Sequence, residues 1–297
     1  MGERSVLGAV VFDVFADGVG GGNPCPVVPG ADGLDAEQMQ GIAADHGLES
    51  VFLLTPTAPG AQVRMRYFVP RHEMEMCVHA TVAGLTLLAE RDAVPTGVVA
   101  VQTPLGVLDA EVGADGSVTV EQFPPVFGPP LADARGELAA ALGCPVQRIL
   151  GGDTPRSVSV SRAKLLVELT DLAAVAGLEP DPARVSRLCE ELGVTGLYPF
   201  AVPAGAGEGS AGAGRRAWAR QFPRDSGYPE DAATGLAAAA LAAMLALRET
   251  GDGRYRYDIH QGQAMGRPSV ITGHTTREGG AVSRIAVSGR AERRPEI

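Results

Sequence analysis

Glu73, Glu75, Cys77 and His79 stand at alternate positions, so an extended segment puts all four on one face and Met74, Met76 and Val78 on the other. Carboxylates, a thiol and an imidazole gathered in this way suit either metal ligation or proton transfer. Hard and soft ligands mixed on a single strand are unlike the sets zinc prefers, which weakens the metal reading. Cys77 and His79 also immediately precede an apolar stretch with helical spacing, and Glu230 and Asp231 hold the same place before an Ala-rich helix at Leu236 to Leu247. A helix start carries unpaired backbone N–H groups and the positive end of the helix dipole. Two such starts with polar residues beside them predict a site for an anionic group such as a carboxylate, next to side chains able to move protons. Arg66, Arg220, Arg224 and Arg267 are further candidates to hold a carboxylate bidentately, although a structural ion pair is the commoner fate of such residues.

The elements that must position these groups follow from local pattern. Val6 to Val14 predicts a strand, and Asp17 to Pro24 is a dense turn signal. Gly18 and Gly20 lack the third glycine of a dinucleotide fingerprint, because Asn23 occupies its place. Asp35 and Gln38 resemble a capping box for a helix reaching about His46, and Glu49 opens a strand to Thr55. A strand over Gln62 to Val69 leads into an extended segment to Met76, and a helix is expected from just after His79 to near Arg91. Strands recur between Val98 and Gln122, and Pro124, Pro125, Pro129 and Pro130 mark the boundary between an expected N-terminal lobe, 1–127, and a C-terminal lobe, 128–297, whose last strand is able to return to the first. Beyond it the pattern predicts a helix over Asp133 to Leu142, strands at Ser157 to Val160 and Lys164 to Leu169, and a helix announced by Asp181, Pro182 and Gly193. Cys189 on that helix reads as a packing residue, and Gly205 to Gly214 as a flexible surface loop. Arg66-Tyr67-Phe68, a turn, His79-Ala80-Thr81 and a helix are echoed by Arg220-Gln221-Phe222, a turn, Ala233-Thr234-Gly235 and a helix, which suggests two lobes of like plan.

Composition narrows the partners. With 45% hydrophobic residues in 297, the chain buries a large core, and its 39 glycines and 22 prolines predict frequent reversals. The formal charge of −10 disfavours nucleic acid and anionic membrane as partners. No signal peptide is evident at the N-terminus, and the longest apolar helical run falls well short of the ~20 residues that cross a bilayer, so a cytoplasmic location is expected. Cys25, Cys77, Cys144 and Cys189 are scattered in the manner of reduced thiols.

Read together, these residues resemble the PhzF-like proteins, relatives of the phenazine-biosynthesis isomerase that share the diaminopimelate epimerase fold with proline racemase. The resemblance rests on Gly22-Asn23-Pro24, Glu49-Ser50-Val51-Phe52, the block from Arg66 to Thr81, Glu230-Asp231-Ala232-Ala233-Thr234-Gly235, and Gln261-Gly262 with Met265-Gly266-Arg267-Pro268-Ser269. It runs nearly end to end. It implies an α+β fold of two pseudo-symmetric lobes, each a mainly antiparallel, barrel-like sheet around a central helix, usually in a homodimer and with the active site in the cleft. It also implies a cofactor-independent isomerase, with no metal, acting on a small-molecule carboxylate.

Carried over residue by residue, the resemblance makes Glu49 the general acid/base, with His79 and Asp231 binding and positioning the substrate. A carboxyl is suited to this work where an apolar surrounding brings its pKa toward neutrality. Asn23, Val78, Ala80, Thr81, Thr234, Gly235 and Leu236 then line the substrate site. Related racemases place a cysteine before each central helix; Cys77 matches the first, where a helix start favours the thiolate and the residue either assists catalysis or serves as a small packing residue, but Ala232 stands at the second. One base is missing, which points to a proton or double-bond shift rather than two-base inversion at a stereocentre. Val78 replaces the usual glycine and Leu236 the usual serine, tightening the site toward a different and smaller unsaturated acid of secondary metabolism, such as a 4-alkylproline precursor in antibiotic biosynthesis. An epimerase or racemase of an amino-acid-like substrate, and a non-catalytic small-molecule-binding protein, are the competing expectations.

Overall fold

The computed structural model describes residues 8–203 and 215–295, so the loop expected at 205–214 lies outside the described residues. The chain divides into two compact units, one of residues 1–15, 23–120 and 289–297 and one of residues 16–22 and 121–288. In this division the change of unit falls at Val120/Glu121, ahead of the proline cluster, and the 16–22 turn belongs with the second unit. The final residues from Gly289 return to the first.

In the first unit the strands are β1 (Val10–Val14), β2 (Asn23–Val28), β3 (Ser50–Leu54), β4 (Val63–Phe68), β5 (Glu73–Met74), β6 (Gly97–Thr103), β7 (Gly106–Val112), β8 (Val118–Glu121) and the returning β18 (Ala291–Arg293). Antiparallel pairs join β18 to β1, β1 to β2, β3 to β4, β6 to β7 and β7 to β8, while β2–β3 and β4–β6 are parallel. Helix α1 (Ala36–His46) opens on the expected capping box, in which Asp35 and Gln38 satisfy each other's backbone N–H, and it closes at Gly47 in the left-handed conformation. Helix α2 (Val78–Glu90) packs across β1, β2 and β3 with nearly its whole first half buried. It packs tightly at Gly84, where a Cβ would stand 3.0 Å from the side chains of Leu53 and Met65.

The second unit holds β9 (Val126–Pro130), β10 (Arg156–Ser159), β11 (Ala163–Glu168), β12 (Gly196–Ala201), β13 (Arg215–Ala219), β14 (Phe222–Pro223), β15 (Gly253–Gln261), β16 (Ser269–Glu278) and β17 (Ala281–Gly289). Here too antiparallel pairing dominates, with β11–β12 and β13–β15 parallel. Helices α3 (Arg135–Leu142), α4 (Leu172–Ala176) and α5 (Pro182–Glu191) cover one apolar cluster, in which Cys189 is fully buried beside Leu188 and Leu197. Helix α6 (Gly235–Leu247) is buried from Gly235 through Ala246. Alanine forms helix readily and leaves no bulk. The helix therefore lies so close to β16 that a Cβ on Gly273 would stand 2.6 Å from that of Ala242. Among the described residues no helix is long and apolar enough to cross a membrane.

Candidate active site

The strand face expected from Glu73 to His79 does not form. Strand β5 pairs with β4 only at Tyr67↔Met74 and Phe68↔Glu73, and without a further partner the extended run ends there. Helix α2 begins at Val78, two residues earlier than expected, with Cys77 as its N-cap and His79 within its first turn. Glu73 is drawn instead into a two-pronged pair with Arg66, at 2.7 Å on each arm, and Glu75 is exposed.

Glu49 takes their place. It follows the sharp exit of α1 at Gly47 and directly precedes β3, whose pairing begins at Ser50↔Phe68. Its Oε2 lies 3.2 Å from the Sγ of Cys77, which donates to it, and 3.3 Å from Nδ1 of His79. Sγ and Nδ1 are 3.2 Å apart, closing a triangle of three reactive atoms. Burial holds the His79 imidazole below its ordinary pKa and so keeps it neutral, with the Glu49 charge acting the other way. Burial, and then the charge of Glu49, push the Cys77 thiol well above its ordinary pKa. The thiolate expected at this helix start is therefore disfavoured: desolvation outweighs the helix dipole, and Cys77 is a neutral donor.

The remaining first-unit residues support this triangle. Thr81 donates from its hydroxyl to the Cys77 carbonyl at 2.8 Å and meets the buried Tyr67 hydroxyl at 2.8 Å, so it locks the helix start from beneath. Val78 and Ala80 are buried in the same turn, and Asn23 is buried at the start of β2.

A second cluster surrounds the start of α6. Thr234 is the N-cap, and its hydroxyl donates to Asp231 Oδ2 at 2.5 Å. Gln261, at the end of β15, ties the turn together: its Nε2 donates to the Asp231 carbonyl at 2.7 Å, and its Oε1 accepts from the Thr234 N–H at 3.2 Å and from the Tyr198 hydroxyl at 2.9 Å. Gly262 must be glycine, because it holds φ +88° and a Cβ there would stand 2.7 Å from the Ala232 carbonyl oxygen. Gly235 and Leu236 are buried in the first turn of α6. Glu230 is committed to Arg220, which forks onto it at 2.7–2.8 Å and also donates to the Leu178 carbonyl at 2.8 Å. Arg267 donates to the Gly22 carbonyl, so it too serves the fold. Tyr198 and Gln261 join this cluster beyond the residues the sequence predicts; the Gln261-Gly262 pair is a sequence signal for the second, whereas nothing local to Tyr198 marks it.

Comparison with known proteins follows the same lines. The family model of the phenazine biosynthesis-like proteins matches residues 12–294. An uncharacterized isomerase of Deinococcus radiodurans is 35% identical over 288 residues, covering 92% of this chain and 88% of its own. The trans-2,3-dihydro-3-hydroxyanthranilate isomerase of Pseudomonas aeruginosa is 32% identical over 292 residues, 94% of each chain. Among solved structures, the PhzF-family phenazine biosynthesis protein of Bacillus anthracis superimposes with a TM-score of 0.83 at 25% identity, over 97% of each chain. A probable proline racemase of Agrobacterium radiobacter does so with a TM-score of 0.61 at 14% identity, over 98% of this chain and 93% of its own. The α+β architecture is that of the diaminopimelate epimerase type.

Proposed function

The chain belongs to the phenazine biosynthesis-like family and is an isomerase, and on that premise we propose that it shifts a proton, and with it a double bond, within a small unsaturated carboxylic acid. Glu49 takes the proton from one carbon and returns it to another. The observation that carries this reading is the Glu49 carboxylate held against Cys77 and His79 while its own side chain stays the more open to solvent, 13% exposed against 2% for His79. Contacts from a neutral thiol and a neutral imidazole orient the carboxylate without competing for its charge. The first N–H groups of α2, which have no partner within the helix, suit a substrate carboxylate. Ala232 before α6 supplies no second proton donor, which favours one base working along a conjugated system over inversion by two. Asp231, with its carboxylate held by Thr234, is assigned to substrate positioning. The reading does not extend to an alkylproline precursor, which the relatives do not support. The homodimer is part of the proposal and is checked by sedimentation.

Incubation in D₂O with small unsaturated cyclic acids, starting from the substrate of the Pseudomonas relative, tests the assignment. Glu49→Gln is expected to lower deuterium incorporation by about 10²–10⁴-fold, the usual worth of a general acid/base. Exchange at the wild-type rate in that variant overturns the role of Glu49.

A further inference from the structure

We infer that Glu49, Cys77 and His79 also form a three-ligand site for one thiophilic divalent cation, of which zinc is the best fit. The ligand atoms Oε2, Sγ and Nδ1 make a triangle with edges of 3.2, 3.2 and 3.3 Å. In the plane of such a triangle the point equidistant from its corners is about 1.9 Å from each, shorter than zinc bonds of about 2.0–2.3 Å, so the ion sits just above the plane with its fourth tetrahedral position open. In an ideal tetrahedral site the oxygen and nitrogen would be about 3.3 Å apart and the sulfur about 3.5 Å from each, so the three side chains need to spread by only a few tenths of an ångström. One thiolate, one imidazole and one carboxylate are each zinc ligand types; the trio mixes hard and soft donors as the Glu73-to-His79 face does, but here the three ligand atoms come from two parts of the chain and converge on one point. No other group of three or more such residues stands this close among the described residues.

Binding is an exchange of a proton for a metal: the Cys77 S–H bond is broken, a sulfur–metal bond forms and the proton goes to solvent, so occupancy rises with pH. The carboxylate is the more solvent-facing member and gives the ion its way in. The metal would bind the carboxylate assigned to proton transfer and take up its negative charge. On the isomerase reading above, it therefore inhibits, and a cation-free protein is the active form.

Cobalt(II) titration of the purified chain tests the site without reference to activity. The expected result is one equivalent bound, with a tetrahedral visible spectrum and a thiolate-to-cobalt charge-transfer band, both displaced by zinc and unaffected by magnesium. Cys77→Ser is expected to abolish the charge-transfer band and to weaken zinc binding by more than the about 10–100-fold that outer-sphere changes cost metal sites, while Cys25→Ser leaves both intact. A wild-type spectrum without the thiolate band, or zinc affinity unchanged in a folded Cys77→Ser protein, overturns the site. The wild-type spectrum decides the matter even if the variant does not fold. Zinc bound with these signatures but without effect on solvent exchange leaves the metal site standing and refutes the role of Glu49.

Discussion

The two helix starts share one frame and part ways at its tip. In each, an arginine two residues before a phenylalanine lays its guanidinium over that ring, at 5.2 Å for Arg66 over Phe68 and 5.0 Å for Arg220 over Phe222. Each arginine then forks onto a glutamate of the following turn, Glu73 or Glu230. Beyond the turn, α2 begins amid a thiol, an imidazole and a carboxylate, whereas α6 begins amid a threonine, a glutamine amide, a tyrosine and a single aspartate. The first start concentrates titratable groups on one carboxylate oxygen; the second spends its polar groups on holding the backbone. A repeated frame sets where a helix begins, and a few side chains at its tip decide whether that place does chemistry.

The largest effect expected from breaking this comparison is at Arg220. Its ion pair is nearly enclosed, with side-chain exposures of 10% and 13%, so Arg220→Leu leaves Glu230 buried without its partner. A loss of about 3–5 kcal/mol in chemical denaturation is expected. Next comes Gln261→Leu, which strands the Tyr198 hydroxyl, the Thr234 N–H and the Asp231 carbonyl; a loss of about 2–3 kcal/mol is expected at a typical 1–3 per orphaned group with partial relaxation. Arg66→Leu sharpens the contrast with Arg220. Its pair with Glu73 is more open, 18% and 35% exposed, and a melting experiment should find about 1 kcal/mol or less.

The smallest effect concerns pH. Burial keeps the folded-state pKa of His79 below that of the unfolded chain, so as pH falls below about 6.5 the unfolded state takes up the proton first and stability drops. His260 and His274 are shifted in the same direction and add to the slope. The measurement is therefore the difference in melting temperature between wild type and His79→Gln from pH 7 to pH 5. The variant should show the shallower decline, and parallel curves would remove His79 from the account.

Local signals were enough for much of the fold. Asp35 with Gln38, and Asp181 with Pro182, announce helices because capping is a matter of neighbouring residues, and both form at the expected positions. The alternation over Glu73 to His79 does not become a strand, since an extended segment needs a partner strand to persist and β4 offers one for only two residues. The strands β15, β16 and β17 form a long antiparallel ladder in the second unit; Gly262, Gly266 and Pro268 mark the turn between the first two, but how far the ladder runs is set by its partner strands.

For the candidate site, Cys77 and His79 beside one helix start and Asp231 before another are legible from local pattern, whereas Glu49 and the class of chemistry enter through the family resemblance. The pattern supplies polar side chains beside helix starts able to receive an anion, in a chain whose charge turns away polyanions. What tertiary structure alone decided is which of the many carboxylates meets the thiol and the imidazole. Glu73 and Glu75 are nearer in sequence, but β4 claims the first through Arg66, and the turn after α1 delivers Glu49 from 28 residues away. It likewise decided the protonation of that cluster. A helix start by itself favours a thiolate, and only the burial of Cys77 beside a carboxylate reverses the preference, because desolvating a charge next to a like charge costs more than a helix dipole returns.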